Sequence, residues 1–130
     1  MKGEKYFQNE YTEIWIENGV LFSAYAKDLK VNLEIAKICV AERLKLCDGK
    51  SYPMMVYGAN LRQMDKEAGK FLRSGDAIKG ILAGAFVVDS QFDYLVMSFF
   101  VMIFNPQPAA KLFMDDKKAL EWLQQHKANV

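Results

Sequence analysis

The stretch Tyr11–Ala26, YTEIWIENGVLFSAYA, decides the fold at the start of this chain. Polar and apolar residues alternate from Tyr11 to Ile16, which is the period of a strand with one buried face. Asn18-Gly19 follows, and this dipeptide is the strongest short signal for a hairpin turn. Val20–Ala26 then reads as a second strand. We therefore predict an antiparallel hairpin here.

Helices and strands alternate after the hairpin. Asn32 is a suitable N-cap for an amphipathic helix that runs to about Cys47. Apolar runs between polar segments predict three further strands, at 52–57, 80–88 and 111–114. Three further helices are predicted at 65–73, 91–104 and 116–127. The last is expected to bury a stripe that contains Ala119, Leu120 and Leu123.

This order of elements predicts the fold class. An alternation of helices and strands is typical of an α/β sandwich with a mostly parallel sheet, which the hairpin makes mixed. We expect a single α/β domain at residues 11–128, with a mixed five-stranded sheet and four helices. Residues 1–10 are polar and are expected to form a flexible N-terminus.

Composition excludes several classes of protein. The chain has 130 residues, of which 52% are hydrophobic and 25% charged, with a formal net charge of +1. This balance is typical of a globular domain and gives no electrostatic reason to expect nucleic acid as a partner. The polar beginning is unlike a signal peptide, so we expect a cytoplasmic protein.

Metal and disulfide sites are also not expected. Cys39 and Cys47 lie eight residues apart on one predicted helix, or ~12 Å along its axis, which is too far for a disulfide bond. His126 is the only histidine, and there is no Cys/His cluster that could hold zinc.

The segment DSQFDYLVMSFFVMIFNPQP, at 89–108, contains an apolar run from Leu95 to Phe104 in which only Ser98 is polar. Its apolar run is about half the length of a membrane span, so an integral membrane segment is not expected. Its length, the Ser90-x-x-Asp93 spacing of a capping box and the need for a crossover favour a helix at 91–104. Three alternatives remain for that helix, namely burial within one monomer, a self-association surface and a gate for an apolar ligand. The candidate patch comprises Met97, Phe100, Val101 and Phe104.

The C-terminal part of the chain carries a recurring pattern. The pattern consists of Ser90, Phe99-Phe100, Asn105-Pro106, Pro108, Lys111-Leu112-Phe113 and Asp115, followed by Ala119-Leu120-x-Trp122-Leu123. It resembles an uncharacterised bacterial family of STAS/SEC14-like domains, similar in fold to sporulation-type anti-sigma-factor antagonists. The resemblance implies a protein-binding switch that is phosphorylated on Ser or Thr near the predicted helix at 65–73. Asp65 is present there, but Lys66 stands at the acceptor position and no Ser or Thr lies between Ser51 and Ser74. We therefore expect no phosphoserine switch.

Residues for catalysis are not evident. Both cysteines fall on an apolar helix face, where a thiol is usually structural, and no phosphate-binding glycine loop is present. Ligands of α/β sheets often bind at the carboxyl ends of strands, and the polar residues predicted there are Asn60, Arg62, Asp65 and Lys66. A solvated surface is the alternative for these four. We expect neither an enzyme nor a cofactor or metal.

Two functions remain. The first is a STAS-like interaction or regulatory module that forms a homodimer through its apolar helix and binds an unidentified protein partner. The alternative is a carrier or sensor of a small apolar, lipid-like ligand. A closed cavity under Phe99 to Phe104 would favour the second function.

Overall fold

The computed structural model of the chain describes residues 5–57, 64–92, 94–95 and 109–127. Six strands within them form one sheet in which the spatial order is the order along the chain. The first three strands pair antiparallel, and β3 to β6 pair parallel. The strands are β1 (Lys5–Gln8), β2 (Thr12–Glu17), β3 (Val20–Tyr25), β4 (Tyr52–Tyr57), β5 (Ile81–Val87) and β6 (Ala109–Phe113).

Four helices accompany the sheet in the described part of the chain. They are α1 (Leu33–Cys47), α2 (Lys66–Leu72), α3 (Gly75–Ile78) and α4 (Asp116–Gln124). The Asn32 side chain accepts a hydrogen bond from the main-chain N–H of Ile35 at 2.8 Å, so the predicted cap of α1 is confirmed. The general α/β class and the mixed sheet are confirmed as well.

The predicted hairpin joins β2 to β3 through a two-residue turn. Asn18 has φ of 52° and Gly19 has φ of 76°. Two consecutive positive φ angles are what a type I′ turn requires, and its twist matches that of the flanking strands. The hairpin and its Asn18-Gly19 turn are therefore confirmed, while the strand bounds differ from the prediction by one residue, since Glu17 belongs to β2 and pairs with Val20.

The prediction of five strands is wrong by one. β1 lies within residues 1–10, which the sequence placed outside the domain, and it pairs with β2 along its whole length. The Tyr6 hydroxyl also donates a hydrogen bond to the Glu13 carboxylate on β2. Lys5–Gln8 has no alternation of its own, because its ends are exposed and its two aromatic residues are adjacent. The pairing with β2 is what makes it a strand.

The predicted helix at 91–104 is described only at its start. Gln91, Phe92, Tyr94 and Leu95 are helical, and the Tyr94 N–H donates to the carbonyl oxygen of Ser90 at 3.0 Å. Residue 93 and residues 96–104 lie outside the described residues. The sequence does not predict the short helix α3, because Ser74-Gly75 is typical of the end of the preceding helix.

The two faces of the sheet carry different layers. On one face, here called the α4 face, Val20, Met55, Ala83 and Ala85 pack against Ala119 and Leu123 of α4. The predicted buried stripe of that helix is thus confirmed. The opposite face, here called the α1 face, carries α1, α2 and α3, whose packing includes Cys47 against Leu21 and Ala36 against Ala68.

Candidate functional site

A cavity of about 470 Å³ lies on the α1 face, between the sheet and helices α1, α2 and α3. Its floor comes from β2 to β6 and its roof from the three helices. Most of the lining is apolar, and six of the apolar lining residues are Ile14, Val40, Met54, Val56, Ile81 and Phe86. The interior of a folded protein normally contains few voids larger than a water molecule, so a cavity of this size is a distinct feature.

Small residues on the sheet leave space for the cavity. Gly84 of β5 lies between Met54 of β4 and Ala110 of β6, and all three line the cavity. A Cβ atom at Gly84 would meet only the edge of the Phe86 ring, at 3.6 Å, which is ordinary van der Waals contact. The backbone would therefore accept a larger residue there, and the space above Gly84 belongs to the cavity.

The buried polar residues Thr12, Ser23 and Arg43 also line the cavity, together with Tyr25. The Thr12 hydroxyl donates to the carbonyl oxygen of Ala24 at 3.2 Å. Ser23 and Tyr25 lie two residues apart on β3, so both side chains lie on the α1 face. A small number of polar groups in an apolar cavity is typical of ligand sites, where they fix orientation.

Among the described residues, Arg43 is the charged residue that is buried, with only 3% of its surface exposed. Its Nη2 donates to the carbonyl oxygen of Ala77 at 2.7 Å and its Nη1 to that of Lys79 at 3.0 Å. These carbonyls lie at the C-terminal end of α3, so Arg43 ties α1 to α3. Burial lowers the pKa of Arg43, while Cys47 and Tyr25 raise it. A guanidinium nevertheless remains charged in proteins, so this interior is positive.

Two further titratable groups that line the cavity, the Cys39 thiol and the Tyr25 hydroxyl, are neutral at ordinary pH. Burial raises the pKa of the Cys39 thiol to about 11. Burial also raises the pKa of the Tyr25 hydroxyl; Cys39 raises it further, and Arg43 lowers it. Because a thiolate is the reactive form of cysteine, the raised pKa opposes a nucleophilic role for Cys39.

Two of the predicted polar site residues lie at this cavity. Asp65 and Lys66, at the start of α2, both line it. The Asp65 side chain accepts a hydrogen bond from the Ala68 N–H at 2.8 Å, which makes it the N-cap of α2. The remaining predicted residues lie outside the described ranges, namely Asn60 and Arg62 and the apolar patch of Met97, Phe100, Val101 and Phe104. Self-association through that patch stays a prediction.

Arg43 and Tyr25 were not singled out from the sequence. A signal for Arg43 was present, because it falls on the same helix stripe as Ala36, Val40 and Cys47, with spacings of four, three and four residues. A charge on an otherwise apolar stripe indicates either an ion pair or a site. Tyr25 offered no such signal, since an aromatic residue in a strand is ordinary core.

The residues that the structure describes hold neither a metal-binding cluster nor a membrane-spanning helix. These contain no group of three or more His, Cys, Asp and Glu side chains that could hold a metal ion. Among the same residues, no helix combines the length and the apolar character that crossing a membrane requires.

The fold and site define an α/β protein with a cavity on one face of a mixed sheet. The chain belongs to the family described as Domain of unknown function (DUF7793), whose model matches residues 14–127. No curated protein matches the chain. The chain is similar to a protein with unknown function from Arthrobacter sp. FB24, whose crystal structure is known. The two are 22% identical over 82% of this chain and 93% of that one, with a TM-score of 0.30.

Proposed function

We propose that this domain binds a small, largely apolar ligand in the cavity on the α1 face, as a carrier or sensor of that ligand. The observation that carries the proposal is the cavity of about 470 Å³. Ligand sites in proteins occupy roughly 300–1,000 Å³ and are mostly apolar with a few convergent polar groups. The cavity has this size and this composition.

The chemistry of the lining supports binding over catalysis. The Cys39 thiol is held neutral by burial, and the Asp65 carboxylate is engaged as a helix cap. Of the two functions expected from the sequence, the cavity supports the ligand carrier or sensor. The STAS-like interaction module remains a separate prediction, because the patch on which it rests lies outside the described residues.

The size of the cavity can be tested with straight-chain alcohols from hexanol to dodecanol. Each added methylene that is buried contributes about 0.8 kcal/mol, which corresponds to about fourfold in affinity. We expect the dissociation constant, measured by isothermal titration calorimetry, to fall by that factor per carbon until the cavity is filled. A dissociation constant that does not change with chain length would contradict an internal apolar site.

Filling the cavity should abolish this binding. In Gly84→Leu the new side chain occupies the space above β5, so we expect at least tenfold weaker binding of decanol. The free energy of unfolding should not fall, since the leucine is buried without displacing backbone.

Gly75→Leu is the matched control, because Gly75 lies on the exposed start of α3 and its Cβ would meet nothing within 4 Å. This variant should bind decanol as the wild type does. Equal binding by the wild type and Gly84→Leu would place the ligand elsewhere.

A further inference from the structure

We infer that the ligand is a free carboxylic acid with an alkyl chain, whose carboxylate lies against Arg43 while the chain fills the apolar part of the cavity. The inference rests on the proposed function and names the ligand class of the same site. It follows from the position, the burial and the unused hydrogen-bonding capacity of Arg43.

The Arg43 guanidinium has more N–H donors than its two hydrogen bonds use. A guanidinium carries five N–H groups, and the two bonds to Ala77 and Lys79 use two of them. Three N–H groups remain on a side chain that is 97% buried and lines the cavity. Buried donors are normally paired, so an acceptor within the cavity is the expected partner.

The charge of Arg43 points in the same direction. Among the described residues, Lys45 and Glu42 form an ion pair at 3.9 Å. No ion pair joins Arg43 to a carboxylate of these residues. A buried charge without a counter-charge is costly, and a carboxylate is the group that a guanidinium binds with two parallel hydrogen bonds. An acid in the cavity would supply the missing anion.

Two neutral hydroxyl groups, those of Ser23 and Tyr25, line the same cavity as Arg43. Neither the Ser23 nor the Tyr25 hydroxyl donates a hydrogen bond to another described residue, and both line the cavity. Tyr25 is also close enough to Arg43 for each to influence the ionisation of the other. A carboxylate has about four acceptor sites, so it can bind the guanidinium and a hydroxyl at once.

The burial of Arg43 also identifies the source of the acyl chain. A carboxylate at Arg43 lies inside the fold, whereas the head group of a membrane phospholipid stays in water at the bilayer surface. An acid esterified to a head group has no free carboxylate to present. A free acid satisfies the site, and its chain extends toward Met54, Val56 and Phe86.

Decanoate and decanol separate the head group from the chain. We expect the wild-type protein to bind decanoate at least tenfold more tightly than decanol at pH 7.5, by isothermal titration calorimetry. In Arg43→Gln this preference should disappear while decanol still binds. Arg43→Lys, which keeps a charge but not the planar fork, should retain part of the preference.

The control is the double variant Lys66→Gln/Arg73→Gln, which removes the other two cationic side chains that line the cavity among the described residues. It should retain the preference for decanoate. If the preference is lost in this variant and kept in Arg43→Gln, the assignment to Arg43 is overturned.

A second measurement needs no variant. In carboxyl-¹³C decanoate bound to the wild type, the carboxyl signal should titrate at a lower pH than in the free acid, because Arg43 favours the ionised form. Equal affinity for decanoate and decanol, with an unshifted titration, overturns the carboxylate inference and leaves the proposed function standing. Failure of both ligands to bind overturns the proposed function itself.

Discussion

At the scale of single residues, burial governs the chemistry of the cavity wall. Cys39 is 8% exposed, and its pKa rises from the ordinary value of 9.0 to about 11. The unfolded chain therefore loses the thiol proton at lower pH than the folded chain does. The contribution of the neutral thiol to stability is fully present below pH 9 and is lost as the pH rises to about 11.

We expect the free energy of unfolding, measured by urea denaturation, to fall between pH 9 and pH 11. The Cys39 thiol should account for up to about 3 kcal/mol of that fall. Cys39→Ala should show a correspondingly smaller fall, while Tyr25 and Cys47 still contribute in the same direction. The same dependence on pH in both proteins would show that Cys39 does not titrate in this way.

Arg43 shows what could not be read from a single residue in the sequence. A charged residue in a helix is usually solvated, and the carbonyl groups that bind this one lie 34 and 36 residues away, in α3 and directly after it. Since α3 was itself not predicted, its C-terminal carbonyls could not be anticipated as partners. The stripe position of Arg43 was visible in the sequence, but its function in the site was not.

At the scale of elements, the sequence predicts those features that depend on residues close together in the chain. The Asn18-Gly19 turn, the Asn32 cap and the apolar stripe of α4 depend on residues within a few positions of each other, and all were predicted. β1 and α3 are short, at four residues each, and both depend on partners from elsewhere in the chain. Neither was predicted, because tertiary pairing rather than pattern determines them.

The cap of α2 gives a prediction at this scale. Asp65→Ala removes the acceptor for the Ala68 N–H, so we expect a loss of about 1 kcal/mol in the free energy of unfolding. Asp65→Asn should retain most of it, because an amide oxygen can accept the same bond. Asp76→Ala, at an exposed position in the first turn of α3, is the control and should change stability by less than about 0.5 kcal/mol. A loss in Asp65→Asn equal to that in Asp65→Ala would contradict the capping function.

At the scale of the whole molecule, the cavity is assembled from distant parts of the chain. Its lining runs from Thr12 to Ala110 and includes residues of five strands and three helices. No local pattern contains such a set, which is why the sequence predicted the α/β class but, of the cavity lining, only Asp65 and Lys66. The apolar ligand entered only as an alternative, from the composition of the segment at 89–108.

The position of β1 at the edge of the sheet predicts the effect of truncation. Removing residues 1–8 exposes the edge of β2 and removes the half-buried Tyr6 and Phe7, so we expect a loss of about 2 kcal/mol in the free energy of unfolding. Removing residues 1–4 alone leaves β1 in place and is the control. Equal stability of the two truncated proteins in urea denaturation would show that β1 does not stabilise the sheet.

The sequential order of the strands has a consequence for synthesis on the ribosome. Each strand from β2 to β6 pairs with the strand made just before it, so the sheet can grow at one edge as the chain emerges. The α4 face of the sheet is covered later, because Val20, Met55 and Ala83 pack against Ala119 and Leu123, which are synthesised last. A nascent chain that has completed β6 but not α4 therefore presents an apolar sheet face to solvent or to a chaperone.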